Sequence, residues 1–253
     1  MNMRKLALSD DILLKIEKPA RYIGNEVNSI MKDKEQIAIR FAMCFPDVYE
    51  IGMSHLGIQI LYDMFNQRDD IWCERVYSPW TDLDKVMREK HIPLFALESQ
   101  DPVKEFDFLC FTIQYEMCYT NILQILDLSG IPLLAEKRTW DDPIVIGGGP
   151  CTYNPEPLAE FFDLFYIGEG ETVYDALFDA YKANKKNGGS RQSKACGLGR
   201  VGFPQSLPPV AGRLFPFKAK AGALPHPVPD CHLVRTRSEE HTSELQSHEP
   251  ISY

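Results

Sequence analysis

The 253-residue chain has no apolar run approaching the roughly 20 residues that carry a helix across a bilayer. It has no excess of basic charge. Its 27 lysines and arginines stand against 36 acids, a net charge of −9. That balance argues against a general nucleic-acid surface or an anionic-membrane surface. Its cysteines are not grouped. Cys44, Cys73, Cys110, Cys118, Cys151, Cys196 and Cys231 are odd in number, and the nearest two lie eight positions apart, so neither CxxC nor CxxxCxxC occurs. Scattered thiols of this kind read as reduced, which with the absence of a signal-peptide core in MNMRKLALSDDILLKIEKP points to the cytoplasm. No GxGxxG opens a helix and no GK[ST] closes a phosphate loop.

What is present is unevenly distributed. Residues 1–186 hold 31 acids and 19 bases and all the sustained apolar periodicity, so the core is expected there. Residues 187–236 hold one acid, Asp230, against seven bases, with seven glycines and seven prolines, and read as coil. This composition suits a natural Pro-rich linker or translation in a shifted frame. Residues 237–253 are acidic again, and RSEEHTSELQSH within them resembles the conceptual translation of a sequencing-adapter oligonucleotide. They are expected to be an artefact tail.

Within 1–186, an extension over 1–36 precedes alternating strands and helices over 37–186. Strands are predicted at Ile37–Phe45, Trp72–Val76, Pro93–Leu97, Phe106–Ile113, Ile144–Ile146 and Leu164–Ile167. Helices are predicted after an N-cap at Ser54, with Leu56, Ile60, Leu61, Met64 and Phe65 on one face, and over Asp82–Lys90, Tyr119–Leu128 and Thr172–Ala183. Such alternation implies a doubly wound parallel sheet, Rossmann-like or flavodoxin-like, with helices on both faces. Ligands of such sheets sit beyond the carboxyl ends of the strands. The loops there are Pro46–Met53, Gln114–Cys118, Gly147–Tyr153 and Gly168–Glu171.

The candidate site is drawn from these loops: Thr112, Gln114, Tyr115, Gly147, Gly148, Gly149, Pro150, Gly168, Glu169 and Gly170. Three consecutive glycines after a strand suit a tight turn, or bare backbone that lets a flat or phosphate-bearing ligand approach. Glu169 and Glu171 could act as acids or bases, but glutamates ahead of a helix commonly just favour its positive end. His55 is the one histidine on this rim. A corrinoid-ligating DxHxxG would need Asp and Gly where the chain has Met53 and Ile58, so no metal ligand is assigned.

GGGPCTYNPEPLAEFFDLFYIGEGET, beginning at Gly147, resembles the end of the cobalamin-binding domain that precedes the catalytic barrel in B12-dependent radical SAM proteins. The matching positions are Gly148, Gly149, Pro155, Glu156, Asp163 and Gly168 to Glu171. EKPARYIGNE at 17–26, FPDVYEIGMSHLGIQILYD at 45–63 and FTIQYEMCYTNIL at 111–123 extend the likeness over about residues 15–186. The resemblance implies a cobalamin-binding front end whose partner is a radical SAM barrel in cis. S-adenosylmethionine and a 4Fe–4S cluster would belong to that barrel, which this chain lacks along with its CxxxCxxC motif, so the chain alone is expected to be inactive. Two other readings stay open: an inactive α/β module that binds a nucleotide or a protein, and a structural domain that seats a barrel.

Because a 4Fe–4S cluster needs grouped thiolates, anaerobic reconstitution of this chain should yield neither stoichiometric iron and sulfide nor cleavage of S-adenosylmethionine. Cluster assembly with cleavage would contradict the cysteine argument.

Overall fold

The structure is a computed structural model that describes residues 6–168 and 174–186, together with the backbone of 213–216. The regular elements in chain order are α1 (Asp10–Leu13), β1 (Ile39–Phe45), α2 (Tyr49–Gly52), α3 (Leu56–Asn66), β2 (Ile71–Tyr77), α4 (Thr81–Lys90), β3 (Phe108–Thr112), α5 (Tyr119–Leu128), β4 (Ile144–Gly148), β5 (Leu164–Ile167), α6 (Tyr174–Lys186) and β6 (Arg213–Pro216). The sheet order is β2-β1-β3-β4-β5-β6, the first five strands being parallel. Phe41 of β1 pairs with Cys73 on one side and Phe108 on the other. The order 2-1-3-4-5 is flavodoxin-like, and its reversal falls between β1 and β3.

Alternation along the strands sends residues to two cores. Phe41, Phe108, Ile144 and Ile146 meet α3 and α6, and Leu109, Phe111 and Val145 meet α4 and α5. The first core is an aromatic cluster in which Phe65 stands edge-on to Phe41 at 5.0 Å, to Tyr174 at 4.7 Å and to Phe178 at 5.2 Å. Edge-to-face pairs add about 0.5–1.5 kcal/mol each beyond area burial. The two-sided winding expected from the alternation is therefore present.

Three local expectations are corrected. Pro93–Leu97 is not a ladder strand; Phe95 forms a single antiparallel bridge to Pro102. This segment instead covers the outer edge of β2: Leu97 N–H donates to the Arg75 carbonyl at 2.9 Å, and Arg75 N–H donates to Glu98 Oε2 at 2.7 Å. A carboxylate and one amide thus occupy groups that a further strand would otherwise seek. Ser54 does not cap α3. His55 does, its Nδ1 accepting from Ile58 N–H at 3.3 Å. Finally, α3 buries Ile58, Tyr62 and Phe65, spaced four and three apart, and leaves Leu56 and Ile60 exposed.

Within the stretch expected to be coil, Arg213–Pro216 pairs antiparallel with β5, from Ile167↔Arg213 to Leu164↔Pro216. An open edge of β5 offers unpaired backbone groups, and proline is tolerated in a strand at such an edge. The remainder of 187–253, including the suspected artefact tail, lies outside the described residues.

One buried ion pair ties the β4–β5 end of the sheet together. Arg138, its side chain fully buried, donates to Asp163 Oδ2 at 2.9 Å and to the carbonyls of Pro132, Leu133 and Phe161. The same carboxylate oxygen accepts Val145 N–H at 2.8 Å. Arg138→Met leaves a buried carboxylate without its cation, so it should cost about 3–5 kcal/mol in urea unfolding; a loss below about 1 kcal/mol would show that the pair is dispensable.

Candidate functional site

The carboxyl ends of β1, β3 and β4 form one continuous rim. After β1, Pro46 and Asp47 are anchored from three sides. Asn121 Nδ2 donates to the Pro46 carbonyl at 3.0 Å, Ser78 N–H donates to the Asp47 carbonyl at 2.9 Å, and Val48 N–H donates to Asp47 Oδ1 at 2.7 Å. After β3, Ile113 N–H donates to the Gly148 carbonyl at 2.7 Å and the Ile113 carbonyl accepts Cys151 N–H at 3.1 Å. The β3 and β4 loops are thus laced together. Gln114 Nε2 donates to Thr112 Oγ1 at 2.6 Å, and the Tyr115 hydroxyl donates to Asp47 Oδ2 across the gap between β3 and β1. Thr112, Gln114, Tyr115 and Gly147 to Pro150 therefore come together as expected. Gly168 ends β5 at φ +131°, while Glu169 and Gly170 lie outside the described residues.

The three glycines have different causes. At Gly147 a Cβ would lie 2.8 Å from the Phe165 ring and 3.2 Å from Ile113 Cδ1, so its bareness serves core packing. Gly149 has φ +95°, and a Cβ there would lie 2.9 Å from the Ile113 carbonyl oxygen and 3.0 Å from its nitrogen. That glycine allows the β4 turn to press on the β3 backbone. Only Gly148 has room: the nearest atom to its Cβ position is the Phe111 oxygen at 3.9 Å. The expectation that the whole run leaves space for a ligand narrows to this one half-buried position.

Several large apolar side chains that follow the strand ends are exposed: Met117 after β3 is 87% exposed and Tyr153 after β4 is 79% exposed, and Met53 after α2 and Leu56 at the start of α3 are exposed too. Asp47, Met117 and Tyr153 were not among the residues expected from sequence. Their signal, a polar or apolar residue just past a strand end, acquires meaning only once the strand order is known.

The rim offers little covalent chemistry. Burial pushes the Cys118 thiol up to about 11, and burial also raises Cys151, so neither thiol is activated. His55 is committed to capping α3. Among the described residues no group of three His, Cys, Asp or Glu side chains could hold a metal ion. None of the helices among them is long and apolar enough to cross a membrane.

A surface cleft of about 650 Å³ lies at the opposite, amino-terminal end of the sheet, between the last turns of α4 and α5. Its cations are occupied. Arg88 pairs with Asp84 and Asp127, and Lys104 donates to the Gly130 carbonyl at 3.0 Å. Helix carboxyl ends also disfavour anions.

Fold and rim together define a flavodoxin-like α/β domain with laced loops along its carboxyl edge. The chain belongs to a family of N-terminal domains of radical SAM proteins, whose model, described as "Radical SAM proteins, N-terminal", matches residues 57–202. The uncharacterized protein MJ0966 of Methanocaldococcus jannaschii is 29% identical over 132 residues, which cover 51% of this chain and 24% of that protein. The chain thus spans about a quarter of the length of that curated relative. No solved structure matches it.

The glycine assignment is open to test. Gly149→Ala should cost at least about 2 kcal/mol in chemical unfolding, from backbone strain and the close Ile113 contact. Gly148→Ala should shift stability by less than about 1 kcal/mol. Equal costs would contradict the separation of roles.

Proposed function

We propose that this domain binds cobalamin on the carboxyl rim and presents it to the catalytic part of a longer radical SAM protein. The observation that carries the reading is Gly148: half-buried at the end of β4, one strand from the reversal between β1 and β3, with space where a side chain would stand. The residues fit such a group in three respects. Bare backbone at Gly148 admits a flat face, exposed Met117 and Tyr153 supply apolar contact, and Thr112 and Gln114 supply polar groups for peripheral amides. Membership of the radical SAM N-terminal family supports the same reading.

Cobalamin would supply methyl-transfer or redox chemistry; these residues would hold and orient it. Met53 and Ile58 at the places where a corrinoid-ligating motif needs Asp and Gly, and His55 engaged as a helix cap, favour a cobalt that takes no histidine from this chain. The 4Fe–4S cluster and S-adenosylmethionine would belong to the barrel that follows in cis in the longer protein, and substrate chemistry would occur there. The exposed apolar rim also suits a second reading, a module that binds a protein partner and no corrinoid.

Equilibrium dialysis with hydroxocobalamin separates these readings, because only the first predicts a coloured protein. Binding by the parent should survive His55→Ala within about twofold and fall at least tenfold in Gly148→Val, where a branched side chain would occupy the approach surface. A colourless parent would favour the partner-binding module. A large loss in His55→Ala would refute the cobalt assignment.

A further inference from the structure

In sheets of order 2-1-3-4-5 the ligand crevice lies between the carboxyl ends of β1 and β3, where the following helices depart to opposite faces. Here α2 and α3 follow β1 on one face, and α5 follows β3 on the other. The mouth between them is spanned by the Tyr115 hydroxyl bonded to Asp47 Oδ2. The two partners are held unequally. Asp47 is fixed through its own carbonyl, by Ser78 N–H, and through its second carboxylate oxygen, by Val48 N–H. Tyr115 is pinned at the backbone: its carbonyl accepts both the Cys118 thiol, at 2.9 Å, and the Cys118 amide, at 3.3 Å. Its half-buried side chain is tied to β1 by the hydroxyl alone among the hydrogen bonds described.

We propose that Asp47 and Tyr115 form a latch over the switch-point crevice, with Asp47 a further residue of the ligand site. Tyr115 swings away from Asp47 when a planar, amide-bearing ligand enters, and the freed carboxylate accepts N–H donors of that ligand. The ligand part of this inference rests on the cobalamin reading; the latch itself does not. Burial and the adjacent carboxylate hold the Tyr115 hydroxyl above its ordinary range, so it remains a proton donor to Asp47 at neutral pH. A hydrogen bond to a charged acceptor is strong enough to keep the mouth closed and weak enough to be exchanged for ligand contacts.

Two measurements on the full chain test this. Without ligand, hydrogen exchange of the 113–121 segment should accelerate about tenfold in Tyr115→Phe and by a similar factor in Asp47→Ala, relative to the parent. Unchanged exchange in both variants would overturn the latch whatever the ligand. With hydroxocobalamin in stopped flow, Tyr115→Phe should associate several-fold faster, whereas Asp47→Ala should bind at least tenfold more weakly despite its open latch. Slower association by Tyr115→Phe would show that the hydroxyl recruits the ligand and closes nothing. If the parent binds no cobalamin, the ligand role of Asp47 falls with the cobalamin reading, and hydrogen exchange still decides the latch.

Discussion

Two parallel strands cannot be joined by a hairpin; the chain must cross one face of the sheet before it can lay down the next strand. In this protein, that constraint organises everything else. The crossovers after β1, β2 and β3 bring α-helices and the link from β4 to β5 only two short 3-10 turns; the central strands β1 and β3 are covered on both sides and must be apolar in both directions. β3, with Phe108, Leu109, Cys110 and Phe111 buried alike, shows the consequence. The crossovers change face where the order passes from β1 to β3, and the loops there separate. A crevice at the carboxyl edge follows from connectivity before any particular side chain is considered.

The edges of the sheet needed a different solution. β2 carries Glu74 fully buried and Arg75 half-buried, an arrangement that would be costly without partners. Glu74 meets Arg40 at 2.5 Å, and Arg40 also reaches Asp101 while its guanidinium lies 4.1 Å from the centre of the Phe106 ring. Arg75 meets Glu98 at 2.7 Å and Glu26 at 2.5 Å. These pairs draw the 94–102 segment and the N-terminal extension onto the outer strand. Of the extension expected over 1–36, the described residues 6–36 are therefore packed onto the domain through Glu26, which also accepts the Tyr49 hydroxyl at 2.5 Å. Glu26, at the end of the 17–26 stretch, is part of how the β2 edge is closed.

At the rim, packing and ligand access compete for the same backbone. Two glycines of the triplet are consumed by the close approach of β4 to Phe165 and to the β3 loop, and one is left open. Gly52 on the β1 side resembles the first two, since a Cβ there would sit 2.4 Å from the Tyr77 ring. Asp163, one of the positions carrying the family resemblance, serves the interior, holding Arg138 and the start of β4. Several of the motif residues thus serve packing, and Gly148 alone of the triplet keeps open space at its Cβ position.

Fold class, the alternation of strands with helices, the bounds of β5 and α5, and the loops that form the carboxyl rim were all legible in the order of residues, because hydrophobic periodicity and glycine punctuation are local properties. The absence of a corrinoid-ligating histidine motif was equally plain. Strand order was not, and with it went the pairing of Asp47 with Tyr115, since residues 68 positions apart meet only when β1 and β3 become neighbours. The fate of Pro93–Leu97 was decided by an edge that needed covering, and the exposed face of α3 by which of two possible apolar stripes met the sheet. Why each glycine is a glycine depended on atoms brought close by other strands. Local chemistry determined what the elements are, and the three-dimensional arrangement alone determined which of their residues face each other, because those contacts are made between segments that periodicity does not connect.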